Sequence, residues 1–275
     1  MIHDISFANG TSVPALGQGT WYMGVDNDKR RLEADALRYG LDHGLTLIDT
    51  AEMYNDAELV VAEAIKGRRD DAFIVSKVLP ENASSAGTIQ ACERSLDRLQ
   101  TDCIDLYLLH WSGRYPIAET LDAFLRLVDQ GKIRNYGVSN LDTREMELAW
   151  NSPGGSGILT NQVLYNLHQR GIEWDLLPWC RAHNMPVMAY SPLNQGQLAP
   201  EVLDQVALRH NASRYQIALA WTLQQQGVIA IPKAATIDHI DHNLAAANIE
   251  ITDEELKQIH RAFPPPMSAT PLKMI

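Results

Sequence analysis

The sequence predicts an α/β fold on a mainly parallel sheet, and three observations carry that prediction. Short apolar runs rich in β-formers alternate with longer stretches of helical period along most of the 275 residues. A polar or ionisable residue stands at the C-terminal end of nearly every such run. No glycine-rich phosphate loop follows the first of them. Alternation alone permits an open sheet or a closed one. The strand-end residues favour closure, because in a closed parallel barrel all those ends open onto one face and residues distant in sequence converge there.

Taken in order, the first element is a hairpin. Ile5 and Phe7 alternate with polar neighbours, Asn9-Gly10 follows and Val13 resumes the pattern, which predicts a type I′ turn in a hairpin covering something larger. A short first strand lies at Ala15 to Leu16. A helix from Asp28 to Asp42, stopped by Gly44, leads to a strand from Leu45 to Ile48. The third strand is Ala72 to Val75, followed by a helix from Ala86 to Leu99. The fourth is Cys103 to Leu109, with a helix from Ile117 to Gln130 ending at Gly131. Strands at Ile133 to Val138, Leu159 to Leu164 and Pro186 to Ala189 come next. A helix from Arg214 to Gln226, ending at Gly227, precedes the eighth strand, Val228 to Ile231. The glycine-rich pieces, Gly154-Gly155-Ser156-Gly157 and Gly196, are loop-sized rather than linkers, so residues 1–275 read as one domain. Pro264-Pro265-Pro266 starts an irregular tail.

Composition excludes several classes. Hydrophobic residues make up 45% of the chain and charged ones 21%, which rules out disorder as the main state. With 34 acidic and 23 basic residues the net charge is -11, so nucleic acid and anionic membranes are not expected partners, and no obligate protein partner is implied. Cys92, Cys103 and Cys180 show neither CxxC nor metal-ligand spacing, which fits a reducing, cytoplasmic setting. No export signal opens the chain, and no segment approaches ~18 uninterrupted apolar residues. His239 and His242 share a helix face, but a third ligand is missing and Asp238 and Asp241 read as capping and solvated residues; no metal is expected.

The residues at the strand ends are Asp49, Lys77, His110, Asn140, Gln162, Tyr190 and Lys233. A dinucleotide-binding open sheet needs GxGxxG, and Gly17-Gln18-Gly19 lacks the third glycine. None of the nine tyrosines has Lys four positions later, which removes the short-chain dehydrogenase pattern.

Eight motifs in chain order then resemble the aldo-keto reductases. They are Gly17-Gln18-Gly19-Thr20-Trp21, Asp49-Thr50-Ala51-Glu52-Met53-Tyr54, Ser76-Lys77, Leu108-Leu109-His110-Trp111, Gly137-Val138-Ser139-Asn140, Asn161-Gln162, Ala189-Tyr190-Ser191-Pro192-Leu193 and Ile231-Pro232-Lys233. The wording is most similar to bacterial methylglyoxal-reductase-like members. The resemblance implies a single (β/α)8 TIM barrel behind the N-terminal hairpin, binding a nicotinamide cofactor and reducing aldehydes or ketones.

Physical chemistry supports a tetrad of Asp49, Tyr54, Lys77 and His110. Hydride delivered to a carbonyl carbon leaves an alkoxide, so a proton donor must stand near the oxygen, and Tyr54 can be that donor. Its ordinary pKa of ~10 is high for the task. An ammonium on Lys77 is expected to lower it, with Asp49 keeping Lys77 charged and oriented. His110 can donate a hydrogen bond to the carbonyl. Trp21, Met53 and Trp111 flank these positions and are expected to form an apolar substrate wall.

The resemblance further implies that Gly19 and Thr20 border the cofactor and that Ser139, Asn140 and Gln162 hold the carboxamide. Tyr190 would stack on the nicotinamide, and Ser191 and Leu193 would pass the pyrophosphate. Lys233, Thr236, His239 and Asn243 would form the adenosine pocket. Ala234 and His239 stand where serine and arginine usually grip a 2′-phosphate, so NADPH is expected with a reduced margin over NADH. The expected substrates are small aldehydes and 2-oxoaldehydes such as methylglyoxal, in a shallow, open pocket, because the loop after His110 and the tail after Phe263 are short. Two rivals remain. A sugar-derived diketo acid reductase would want a basic anchor, for which Arg114 is the candidate. A nucleotide-sensing regulatory barrel with little catalysis would not need a filled tetrad.

Overall fold

A computed structural model gives the architecture and describes residues 2–198 and 201–275. The chain opens with an antiparallel hairpin, β1 (Asp4–Ser6) and β2 (Ser12–Pro14). Eight parallel strands follow in one sheet, arranged in chain order: β3 (Gln18–Gly19), β4 (Leu47–Asp49), β5 (Phe73–Val78), β6 (Ile104–Leu109), β7 (Ile133–Ser139), β8 (Ile158–Leu164), β9 (Val187–Tyr190) and β10 (Val228–Ala230). The first and last edges meet. Ala230 N donates to Ala15 O at 2.8 Å, Gly17 N to Ala230 O at 2.8 Å and Gly19 N to Pro232 O at 3.0 Å, which closes the sheet into a barrel. Closure leaves no unpaired strand edge.

The helices are α1 (Arg30–Asp42), α2 (Ala57–Ile65), α3 (Ser85–Leu99), α4 (Ile117–Asp129), α5 (Thr143–Trp150), α6 (Leu176–Ala182), α7 (Glu201–Arg209), α8 (Arg214–Leu223), α9 (Ile237–Ala246) and α10 (Asp253–Ala262). Several start where the sequence supplies a cap. Ser84, Asp142, Ser213, Thr236 and Thr252 each accept a backbone N–H from the first turn through the side chain.

Side-chain alternation feeds two separate cores. On β5, Val75 packs inside the barrel with Leu47, Leu106, Leu108 and Met188. Its neighbours Ile74 and Val78 face outward among Val60, Val61, Leu96 and Leu99 from the helices. A strand buried on both faces reads as a continuous apolar run, which is why these strands were visible in the sequence.

Two expectations change. The first barrel strand is Gln18–Gly19 rather than Ala15 to Leu16; the latter pair instead makes the seam to Ala230. The hairpin turn is not type I′, since Gly10 alone in it takes a positive φ, of 86°. Asn9 stays at negative φ because its Oδ1 accepts Thr11 N at 3.0 Å and its Nδ2 donates to Asn135 at 2.7 Å. The result is a turn with Gly10 N on Phe7 O, followed by a bulge that returns Phe7 N to Thr11 O. Phe7 stacks on Phe73 at the start of β5, so the hairpin plugs the N-terminal end of the barrel. The opposite end is left open for a site.

Candidate active site

The C-terminal ends of the strands surround a cavity of ≈ 890 Å³. Of the seven strand-end residues, Asp49, His110, Asn140, Gln162, Tyr190 and Lys233 line it. Lys77 lies beneath the surface, with no side-chain exposure at all. It points inward from β5 because it is in phase with Val75.

Lys77 organises the floor of the cavity. Its Nζ donates to Asp49 Oδ2 at 2.8 Å and to the Thr50 carbonyl at 2.7 Å, and lies 3.5 Å from Tyr54 Oη. The second oxygen of Asp49 accepts Gln162 Nε2 at 2.7 Å, from across the barrel. Burial pushes the Asp49 carboxyl up and the Lys77 ammonium down from their ordinary values, and the attraction between the two opposes both shifts. Tyr54 sits in a tight turn between β4 and α2, held by Tyr54 N to Ala51 O at 3.0 Å and Ala57 N to Tyr54 O at 2.8 Å.

Here an expectation fails. Burial, and after it the negative charge of Asp49, raises the Tyr54 phenol well above its ordinary value instead of lowering it. The tyrosine therefore keeps its proton throughout the neutral range. His110, edge-on to Tyr54 with ring centroids 5.7 Å apart, is held neutral: burial, then the Lys77 charge, brings its pKa to about 2. Its Nδ1 is buried with no hydrogen-bond partner.

The residues expected to hold a carboxamide are interlocked. Asn140 takes a left-handed backbone, φ 57°, and its Nδ2 donates to His110 O and to Ser139 Oγ, both at 3.1 Å. Its Oδ1 accepts Tyr190 Oη at 3.0 Å, while Ser139 Oγ donates to Gln162 O at 2.8 Å. Gln162 Oε1 remains free to accept. Gly19 cannot be larger, because a Cβ there would meet Ile231 O at 2.7 Å. Thr20 lines the cavity but spends its hydroxyl on Asp49 O at 2.9 Å.

Lys233, His239 and Asn243 also line the cavity, as do Ser191 and Leu193. Lys233 and the His239 ring have no side-chain hydrogen bond or ion pair to another described residue. Thr236 does not line the cavity; it caps α9 by accepting His239 N at 3.3 Å. His242 pairs with Asp238 at 3.8 Å, and no cluster of three metal-ligating side chains occurs among the described residues.

Trp21, Met53 and Trp111 form an apolar wall at the tetrad end, joined by Tyr22, Met274 and Ile275. The tail residues were missed because a short, proline-led tail reads as too short to return to the mouth. Gln195, Ser213 and Gln216 also line the cavity. The Ser213-x-x-Gln216 capping box was the available signal for the latter two, since it starts a helix at the cavity rim. No helix among the described residues is long and apolar enough to cross a membrane.

Comparison with known proteins gives consistent likenesses. The family model for the aldo/keto reductase family matches residues 15–263. The chain is 53% identical over 279 residues to the methylglyoxal reductase YeaE of Escherichia coli, covering 98% of each. It is 34% identical over 259 residues to the glyoxal reductase of Bacillus subtilis, covering 93% of this chain and 91% of that one. Among solved structures, an aldo/keto reductase from Klebsiella pneumoniae in complex with NADP and acetate matches with a TM-score of 0.96 and 49% identity over 100% of both chains.

Proposed function

The chain belongs to the aldo/keto reductase family, and from that premise we propose that it reduces small aldehydes and 2-oxoaldehydes to alcohols with NADPH, Tyr54 giving the proton. The observation that carries the reading is the Asp49–Lys77–Tyr54 chain of contacts on the floor of a cavity that Lys233 also lines. The relatives support the same chemistry, one by acting on methylglyoxal and another by its complex with NADP.

The residues present fit a pyridine dinucleotide. Gln162 Oε1 and the second lone pair of Asn140 Oδ1 are acceptors for a carboxamide NH2, and the Tyr190 ring stands beside them. Lys233, His239 and Asn243 offer cation and hydrogen-bonding groups to the adenosine end. When bound, the cofactor supplies the hydride.

The protein's own part is proton delivery and orientation. His110 is neutral, and an Nδ1–H would be a buried donor with nothing to bond, so its proton belongs on Nε2, where it points a substrate carbonyl toward Tyr54. Tyr54, whose proton is firmly held before reaction, passes it to the oxygen as charge develops there. Lys77 at 3.5 Å then stabilises the phenolate left behind, and Asp49 and the Thr50 carbonyl keep the ammonium aimed at it.

Substrate choice follows from the wall. Trp21, Met53, Trp111 and Met274 offer apolar surface, and among the described residues Lys233 is the lysine or arginine that lines the cavity. Arg114, the candidate anchor for a diketo acid, instead lies 4.9 Å from the Tyr115 ring and donates to its hydroxyl. Uncharged carbonyls are therefore favoured. The free thiols of Cys92, Cys103 and Cys180 support a reducing, cytoplasmic setting, and we read the barrel as one working domain. NADPH absorbance loss with methylglyoxal, an aromatic aldehyde and a diketo acid tests the proposal. Turnover of the first two with little of the third is expected; no turnover of any carbonyl would leave the nucleotide-sensing reading.

A further inference from the structure

Outside the barrel, behind the tetrad, a buried carboxylate has no part in the chemistry described so far. Glu58 lies in the first turn of α2, four residues after Tyr54, and is 1% exposed. Both its oxygens are engaged. Oε1 accepts Ser76 Oγ at 2.6 Å and Oε2 accepts Arg98 Nε at 2.6 Å. Ser76 is the residue before Lys77 on β5, and alternation turns it to the outer face while Lys77 enters the barrel. Arg98 comes from α3.

These contacts join the pieces whose separation the proton transfer depends on. The turn that carries Tyr54 runs straight into α2, so wherever α2 is fixed, the phenol follows. Glu58 fixes α2 to Ser76, the residue that directly precedes Lys77 on β5, and it anchors both to α3. The Tyr54–Lys77 separation is 3.5 Å, at the outer limit of a hydrogen bond, so a small shift of α2 breaks it. The Glu58 charge also favours the Lys77 ammonium, adding to the larger effect of Asp49.

We propose that Glu58 is a positioning residue for the Tyr54–Lys77 pair, acting through Ser76 from the outer face of the barrel. The proposal rests on the reading of Tyr54 as proton donor. Glu58 does not line the cavity. The groups facing the pair from the packed elements are Asp49 from β4, His110 from the end of β6 and Tyr190 from β9; Glu58 is the acidic group on the outer side.

The test uses Ser76→Ala, which cuts the tie to β5 and keeps the Glu58–Arg98 pair, and Glu58→Gln, which weakens both. Folding is checked by thermal melting and NADPH Kd by fluorescence titration. Single-turnover reduction of methylglyoxal is then followed in H2O and in D2O. Misplaced reacting groups can cost up to ~10²-fold, so a loss of about tenfold or more in the single-turnover rate is expected. NADPH Kd and KM should stay within about twofold, and the solvent isotope effect should grow as proton transfer becomes slower. Adding Ser76→Ala to Tyr54→Phe should cost nothing further. A folded Ser76→Ala protein with the wild-type rate and isotope effect overturns the proposal, as does a rate loss matched by lost NADPH binding. Tyr54→Phe alone separates the two readings. If it keeps the wild-type rate, Tyr54 is not the donor; if it is inactive while the Ser76 and Glu58 variants are normal, only the role of Glu58 falls.

Discussion

Gln162 Nε2 donates to Asp49 Oδ1 at 2.7 Å, which ties a cavity-lining amide on β8 to the buried ion pair on β4 and β5. On the proposed reading the amide serves both the ion pair and the cofactor, since its oxygen is left without a partner among the described residues. Gln162→Leu is expected to weaken NADPH binding and turnover together. A hydrogen bond to a charged group is worth ~1.5–3 kcal/mol, so each loss should be on the order of tenfold to a hundredfold. Cofactor titration beside steady-state kinetics checks it, and an effect on Kd without one on kcat would show that Asp49 does not need this partner.

Tyr54→Phe separates chemistry from binding. The ring still packs edge-on to His110, and only the hydroxyl proton is removed. Turnover should fall by ~10²- to 10⁴-fold, the scale of general acid catalysis, with NADPH Kd within about twofold. The raised phenol adds a pH expectation. Because Tyr54 is protonated up to and beyond its ordinary value, reduction should show no alkaline loss from this group below pH ~9. A limb near neutrality that disappears in an otherwise active Tyr54 variant would contradict this.

His110 carries a stability signature. Its folded pKa of about 2 lies far below the ~6.5 of an unfolded histidine. Above ~6.5 neither state binds the proton and the group contributes no pH dependence. Below it the unfolded chain takes up a proton that the folded chain refuses, so stability falls as pH falls toward 2. Between pH 7.5 and 5.5 this one group should cost about 1.4 kcal/mol. Urea unfolding of wild type and His110→Gln at the two pH values measures it. The variant should lose that much less stability on acidification, and equal slopes would mean that His110 is not buried neutral.

How far the site was legible depends on which physical constraint set each residue. Strands buried on both faces leave unbroken apolar runs, and β5 through β8 stood out for that reason. Asp49, Lys77 and His110 followed because a polar residue closing such a run must face the barrel mouth. By contrast β3, with Gln18 and Gly19, has no apolar run to read; it is a strand because β4 pairs with it, Ile48 opposite Gln18 and Asp49 opposite Gly19, with the closing edge on its other side. The α2 helix was equally hidden. Ala57, Glu58, Val60, Val61, Ala62, Ala64 and Ile65 are all buried, so no polar face marks its period. The Tyr54 phenol could not be placed either, since its direction depends on how burial and Asp49 weigh against Lys77, which is a matter of distances.

Trp111 stands next to His110 with ring centroids 4.8 Å apart, on the wall that a substrate side chain would meet. Trp111→Ala should raise KM for benzaldehyde-type substrates by about tenfold and for methylglyoxal much less, because the larger ring buries more apolar area against the indole. Parallel KM measurements decide between this and a purely structural indole, for which both substrates would suffer alike.

Cofactor choice gives the last prediction. Thr236 caps α9, His239 follows in its first turn, and Lys233 and His239 line the same cavity, so a residue of the helix's first turn and an ammonium without a partner among the described residues open onto one space. That combination suits a phosphate. A guanidinium at position 239 would add a permanent cation with forked donors, which an imidazole does not offer. His239→Arg should therefore tighten NADPH by roughly 1.5–3 kcal/mol, the scale of a charge-assisted hydrogen bond, and leave NADH nearly unchanged because NADH has no group there to hold. Lys233→Met should act in the opposite sense, narrowing the preference for NADPH by weakening it alone. Fluorescence titrations of both cofactors against wild type and the two variants, at low and moderate salt, measure the six constants at each salt. The arginine gain should shrink as salt screens an exposed pair. If the arginine tightens both cofactors equally, or the methionine weakens NADH as much as NADPH, then α9 does not meet the 2′-phosphate and the adenosine end lies elsewhere on the rim.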